Sequence, residues 1–246
     1  MTKRFFITGT DTDIGKTLAA CALLQAAARA GYRAAGYKPV ASGCEPTPAG
    51  PRNGDALALM ANGNVALAYH QVNPLAFIEP TSPHLASRDE GRPIAAAELS
   101  AGLRALETAA DWLVIERAGG WFTPLGETLS YADWVAAEGL PVILVVGMKL
   151  GCINHTLLTA LAVRQAGLRL VGWIANHPAP TSHRPQDYLT ALQERLAAPL
   201  LGEIPWLSAA GTAALADYLD LSLLEAPRSP SSWPSASVCG RRQLRQ

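Results

Sequence analysis

The sequence predicts an α/β fold: one domain in which a parallel sheet is flanked by helices on both faces. Three observations carry that prediction. Short runs rich in β-branched and aromatic residues alternate with helix-length, alanine-rich segments, the pattern of strands joined by crossover helices. Several of the short runs are apolar throughout, as strands covered on both faces must be. The chain of 246 residues is 49% hydrophobic and 16% charged, enough apolar material for a sizeable core and too much for a disordered chain.

Taken in order, Arg4–Thr8 is the first apolar strand. It leads to a helix over Gly15–Ala30, which Gly31 stops, because glycine just past the last turn turns left-handed at no steric cost. A strand is expected over Arg33–Val40 and a helix over Gly54–Asn62. Helix Ala95–Ala109 precedes strand Trp112–Glu116, and helix Tyr131–Glu138 precedes strand Val142–Val146. The pattern closes with helix Asn154–Ala166, strand Leu170–Asn176, helix Gln186–Leu196 and strand Leu200–Pro205. No repeat and no Pro/Gly-rich linker divides residues 1–225, so they read as one domain. Residues 226–246 differ: Pro227, Pro230 and Pro234 alternate with five serines, and the segment holds four arginines and no acid. So little apolar surface cannot offset ordering entropy, and a disordered tail is expected.

Composition excludes several functions. Lys plus Arg and Asp plus Glu are 20 each, without the basic surplus of a nucleic-acid binder. The longest apolar stretch, Pro141 to Met148, is cut by Lys149 and falls short of the roughly 20 residues a bilayer needs. Lys3 and Arg4 precede only Phe5, Phe6 and Ile7 before polar residues begin, too little for a secretory signal. A cytoplasmic protein is expected. Cys21, Cys44, Cys152 and Cys239 lie far apart, with no CxxC and no histidine at ligand spacing. They read as free thiols, and no transition-metal site is expected.

The chemistry begins at Phe5-Phe6-Ile7-Thr8-Gly9-Thr10-Asp11-Thr12-Asp13-Ile14-Gly15-Lys16-Thr17, a strand, a loop and a helix opening with Gly-Lys-Thr. This order suits phosphate, because backbone N–H groups and the helix N-terminus then point together at an anion. Lys16 would neutralise β/γ-phosphate charge and the Thr17 hydroxyl would ligate Mg²⁺. The two glycines are one residue further apart than in the common pattern, so the general motif fails strictly. A second element is the acid ending strand Trp112–Glu116, placed to face Mg²⁺ across a nucleotide cleft. Together these sharpen the fold expectation to a P-loop NTPase-like sheet.

Gly9–Thr17 with Gly36-Tyr37-Lys38-Pro39-Val40-Ala41-Ser42-Gly43 and Asn53-Gly54-Asp55-Ala56-Leu57 resembles the dethiobiotin synthetase family. Glu79-Pro80-Thr81-Ser82-Pro83-His84, the Glu116 loop, Lys149–His155, Gly172–Asn176 and Gly202–Trp206 continue the resemblance in order over about residues 1–225, and the wide glycine spacing is the family's own. The resemblance implies an ATP- and Mg²⁺-dependent ligase of biotin biosynthesis. In it an amine of 7,8-diaminononanoate captures CO₂ as a carbamate, ATP phosphorylates the carbamate, and the second amine closes the ring to dethiobiotin.

Carried over by position, Lys16 and Lys38 would flank the transferring phosphoryl group, with Thr12 and Ser42 hydrogen-bonding phosphate or substrate. Thr17, Asp55 and Glu116 would hold Mg²⁺. Asp13, Ile14, Gly15, Leu18 and Gly119 would complete the ATP phosphate site. Asn176 would read adenine beside His177, Pro205, Trp206 and Leu207. Gly151, Cys152, Ile153 and Asn154 would receive the substrate's carboxylate tail, which Tyr188 reaches from the second subunit of a homodimer.

Three positions depart from the family pattern: Asp13 stands where glutamate is usual, Gly211-Thr212 lacks an acid, and Glu116-Arg117-Ala118-Gly119-Gly120 carries arginine where glycine is usual. A left-handed backbone at 117 would cost arginine roughly 1–2 kcal/mol and displace Glu116, in which case Arg117→Gly raises turnover or ATP affinity. Otherwise a guanidinium beside the phosphates assists. The competing function is therefore a catalytically impaired ATP-binding or regulatory paralogue. A partitioning ATPase would instead carry a second lysine early in the phosphate loop, where Thr10 and Asp11 stand.

Overall fold

Phe5, Phe6 and Ile7 show how the sheet is built. Successive side chains of a strand point to opposite faces, and here both faces are covered: Phe6 enters one apolar cluster, Phe5 and Ile7 another. The computed structural model describes residues 2–117, 119–180, 184–207 and 211–225, and the expected tail lies outside them. In chain order its elements are β1 (Lys3–Gly9), α1 (Lys16–Arg29), β2 (Ala34–Tyr37), β3 (Val40–Ala41), α2 (Gly54–Asn62), α3 (Tyr69–Val72), β4 (Leu75–Ala76), α4 (Pro83–Asp89) and α5 (Ala96–Ala109). They continue with β5 (Trp112–Glu116), α6 (Tyr131–Glu138), β6 (Val142–Gly147), α7 (Cys152–Gln165), β7 (Leu170–Asn176), α8 (Pro185–Arg195), β8 (Leu200–Ile204), a 3₁₀ segment Gly211–Tyr218 and α9 (Ser222–Glu225).

The main sheet has six strands in the order β2-β5-β1-β6-β7-β8, and every pairing in it is parallel. Parallel neighbours place all their C-terminal ends on one edge, and the phosphate loop leaves β1 at that edge. On one face α1 packs its alanine-rich side against Ile7, Trp112, Val114, Ile143 and Val145. On the other, Leu99, Leu103 and Leu106 of α5 and Trp134 of α6 cover Phe6, Leu113 and Ile115. Farther along that sheet, α7 and α8 cover Leu144, Val146 and Trp173.

Local signals explain several boundaries. Gly31 has φ 91° just past α1, in the left-handed region that ends a helix. Asn53 caps α2 by accepting from Ala56 N at 3.2 Å, and Ser130 and Asp133 form a reciprocal capping box on α6. The strand expected over Arg33–Val40 instead ends at Tyr37. Pro39 has no N–H for a ladder, the Lys38 N–H turns to Val72 O, and Val40–Ala41 pairs with Leu75–Ala76 in a separate two-stranded sheet. Helix α7 begins at Cys152, two residues before the expected Asn154, because Gly151 at φ 92° turns the chain into it. The short α3, α4 and α9 were outside the sequence expectation. Pro83 at the first position of α4 is the signal that marks its start.

Candidate active site

The phosphate loop is held by what surrounds it. β1 delivers Thr8 and Gly9 into the sheet, Thr10 N donates to Val145 O at 3.1 Å, and the loop re-enters at Lys16. Gly15, at φ 86°, caps α1 without any side-chain hydrogen bond, so the helix's first N–H groups stay available to an anion. A Cβ at Gly15 would run into the Asn176 side-chain amide. Asp13 also takes a positive φ, 55°, a region aspartate enters more readily than most residues.

Beside the loop lies a cavity of about 990 Å³. Thr12, Asp13, Gly15, Lys16 and Thr17 supply one wall, Lys38, Ser42, Asn53 and Asp55 a second, and Glu116, Arg117, Gly119, Gly120 and Thr123 a third, with Pro80–Pro83 closing the side. Thus the residues expected to meet phosphate or magnesium converge, Ile14 and Leu18 excepted, although they come from four stretches of chain. Asn53, the 80–83 segment and Thr123 were given no role from sequence. The Asn-Gly-Asp and Glu-Pro-Thr-Ser-Pro strings were the signal for the first two, Thr123 had none, and nothing local said which wall they would form.

Charge is concentrated on the axis from Thr17 to Lys38. The Lys38 ammonium donates to Asp55 Oδ2 at 2.5 Å and to Glu116 Oε1 at 3.2 Å, and Thr17 Oγ1 donates to that same Glu116 oxygen at 2.8 Å. Burial works against the charge on Lys38, but the Glu116 and Asp55 carboxylates outweigh it and raise its pKa above the ordinary lysine value. Burial likewise opposes ionisation of Asp55, and the Lys38 charge reverses that and holds its carboxyl below the ordinary value. Lys16 differs: burial, aided by repulsion from Arg117, depresses it to about 8. Its ammonium donates to a backbone carbonyl, Asp11 O, at 2.8 Å.

The residues fit a magnesium ion. Glu116 is 1% exposed, and its Oε2 is buried without a hydrogen-bond partner, an orphaned anionic oxygen in want of a cation. Glu116, Asp55 and Thr17 form a hard-oxygen donor set with only two carboxylates. No cluster of three or more His, Cys, Asp or Glu suited to a metal occurs among the described residues. Magnesium commonly takes its remaining ligands from phosphates and water.

Arg117 does not strain the chain: the non-glycine residues with positive φ among those described are Asp13 and Arg184, while Gly119, two residues on, has φ 76°. Nor is Glu116 displaced. Strand alternation sends Glu116 toward Thr17 on the α1 side, and the Arg117 guanidinium to the opposite face, where Nη2 donates to Thr8 Oγ1 at 2.6 Å. Burial lowers the Arg117 pKa to about 9.

The remaining expected residues lie outside that cavity's lining. Asn176 ends β7, 3% exposed, with Nδ2 donating to Ile14 O at 2.8 Å and Oδ1 buried without a partner. Such an acceptor suits a donor on a base edge. His177 N donates to Ile204 O and its ring meets Glu203 Oε1 at 2.7 Å, while Trp206 is 45% exposed after Pro205 and before half-buried Leu207. Leu18 packs against the α1 core. At the start of α7, Gly151 and Asn154 are exposed, whereas Cys152 is buried in the core; Ile153 and Tyr188 pack partly against the same cluster. Cys21, Cys44 and Cys152 are free thiols, and Cys239 lies outside the described residues.

Comparison with known proteins follows the geometry. An AAA domain family matches residues 3–214. The ATP-dependent dethiobiotin synthetase of Baumannia cicadellinicola is 67% identical over 224 residues, covering 91% of this chain and 100% of that protein. Those of Salmonella typhi and Escherichia coli K12 are 63% and 60% identical, covering 92% and 91% of this chain and 99% and 100% of theirs. Among solved structures, the septum site-determining protein MinD of Pyrococcus horikoshii with Mg-ADP aligns with TM-score 0.54 at 15% identity, covering 91% of this chain and 89% of that one. The MinC:MinD complex of Aquifex aeolicus gives TM-score 0.52 at 12% identity, with the same two coverages. At such identities these two share the fold alone, a P-loop NTPase-like parallel sheet. On identity and coverage together, this chain belongs to the ATP-dependent dethiobiotin synthetase family.

Proposed function

We propose that this protein is an ATP-dependent ligase that makes dethiobiotin from 7,8-diaminononanoate and CO₂ in biotin biosynthesis. The observation that carries the reading is the convergence of Lys16, Lys38, Thr17, Asp55 and Glu116 on one cavity beside the N-terminus of α1. One substrate amine adds to CO₂ and loses a proton, giving a carbamate. A carbamate oxygen then attacks the γ-phosphorus, the bond to the β-phosphate oxygen breaks, and ADP leaves. The second amine attacks the resulting mixed anhydride, expels phosphate, and releases its proton as the ring closes. The nucleophile is already an anion, so the protein's work is positioning and charge neutralisation.

Lys16 and Lys38 approach the transferring group from two walls, while Thr12 and Ser42 supply hydroxyls to phosphate or substrate. Thr17, Asp55 and Glu116 would hold Mg²⁺, which when bound neutralises phosphate charge. With Asp55 and Glu116 given over to the ion, the Lys38 ammonium that engages them here would be free to meet the carbamate. Asn176 reads adenine, with Trp206 and its neighbours against the base.

The substrate's carboxylate lies at the backbone of Gly151–Asn154. The active species is a homodimer that brings Tyr188 to this tail. Leu150, 86% exposed, and Leu158, 57% exposed on α7, support such an interface beside the tail site. No described helix is long and apolar enough to cross a membrane; the enzyme works in the cytoplasm without nucleic acid. The impaired-paralogue reading loses its physical motive, because Arg117 neither strains its backbone nor unseats Glu116.

The test supplies purified protein with Mg²⁺-ATP and bicarbonate, with and without the diamine, following ADP and the product's mass. Diamine-dependent ADP matched one-to-one by dethiobiotin is expected. ATP binding without diamine-dependent turnover refutes the reading.

A further inference from the structure

Among the described residues Arg117 is the buried arginine, 0% exposed, and no carboxylate pairs with it. Its guanidinium meets only dipoles. Nη2 donates to Thr8 Oγ1 at 2.6 Å, Nη1 makes a long contact of 3.4 Å to Thr123 Oγ1, the Phe6 ring centroid is 6.0 Å away, and Nε is buried with no partner. A buried cation left this way is costly unless a counter-charge arrives. The carboxylates lining the deep end of the cavity do not supply one, since Lys38 engages both Asp55 and Glu116. Lys16 bonds to a backbone carbonyl. Two cations of the cavity wall thus lack a carboxylate partner, Lys16 at its surface and Arg117 buried behind it.

We propose that Arg117 is a further anion-binding residue of this cavity, a fixed charge in its wall that favours ligands of higher negative charge. The proposal rests on the reading that the cavity takes phosphate chains. Because the guanidinium is covered, it acts through the field rather than as a surface ligand, and a field in a low-dielectric wall scales with the ligand's charge. Thr8 and Thr123 hold it in place, one in β1 just before the phosphate loop and the other in the loop that follows Gly119-Gly120. Lost packing alone would not grade with the ligand's charge.

The test titrates the full chain and its Arg117→Met and Arg117→Lys variants with phosphate, pyrophosphate, tripolyphosphate and, as an uncharged control, adenosine. Arg117→Met is expected to weaken binding progressively along the phosphate series, reaching about tenfold for tripolyphosphate, or about 1.4 kcal/mol. Adenosine affinity stays unchanged, and Arg117→Lys restores most of the loss. Equal weakening of all four ligands, or of none, overturns the proposal. Lys16→Met, titrated alongside, separates the two levels. If it binds tripolyphosphate as the parent does, the phosphate reading of the cavity falls and the Arg117 proposal with it. If it loses binding while Arg117→Met does not, only the latter falls. Should Arg117→Met not fold, the parent chain with isotope-labelled arginine answers by magnetic resonance. Its slowly exchanging guanidinium Nε–H must shift with tripolyphosphate and not with adenosine, and an unmoved signal at saturation overturns the assignment.

Discussion

Lys38→Met isolates the ammonium at the centre of the site, because methionine keeps nearly the same length and removes the charge. Two contacts are lost. The one to Glu116 joins side chains that are 3% and 1% exposed, and deleting one partner of so buried a pair typically costs about 3–5 kcal/mol. The one to Asp55 reaches a carboxylate 46% exposed, which water screens, so its share is about 0–1 kcal/mol. Some of the loss returns, because Lys38 repels Lys16 and Glu116 attracts it, leaving Lys16 to offset part of the orphaned charge. A net destabilisation of about 3 kcal/mol follows, and for a domain of this size that lowers Tm by about 6–12 °C. The assay is thermal unfolding in metal-free buffer, repeated with added MgCl₂. A divalent ion between the freed carboxylates binds only the folded state, so the salt should raise the variant's Tm more than the parent's. A variant melting within about 2 °C of the parent without metal would refute the reasoning, since Lys38 would then not be the charge that makes Glu116 tolerable.

Asn176→Ala removes the buried amide proposed to read adenine, so ADP affinity should fall about tenfold while pyrophosphate affinity holds, by calorimetry; a parallel loss for both would remove Asn176 from base recognition. Gly202→Ala places a Cβ against the Tyr218 backbone carbonyl, where β8 meets the segment leading to α9. It should lower stability by about 1–3 kcal/mol in denaturant melts, and an unchanged midpoint would show that the segment gives way freely. A chain ending at Glu225 should keep its Tm and form dethiobiotin within about twofold of the full-length rate; a larger loss would give the 226–246 segment a part in catalysis or folding.

Elements with their own local signals were legible to the residue. Trp112–Glu116 and Leu170–Asn176 are apolar runs bounded by polar residues, and Gly54–Asn62 and Tyr131–Glu138 open on Asn53 and Ser130 caps. The strand ending at Tyr37 was overextended because Val40 and Ala41 are as β-prone as what precedes them. Only the pairing with Leu75 and Ala76 reveals that they belong to another sheet.

By itself the sequence determined the phosphate loop and the family, because a loop of contiguous residues and a string of ordered motifs are local properties. Tertiary structure alone decided that Thr17 and Glu116, 99 residues apart, share a hydrogen bond, and that Lys38 lies between Asp55 and Glu116. It also decided the question of Arg117, whose conformation depends on strand alternation and whose lack of a carboxylate depends on what packs around it. Local propensity acts over a few residues, whereas strand order sets which distant side chains meet at one sheet edge and how far water is kept from their charges.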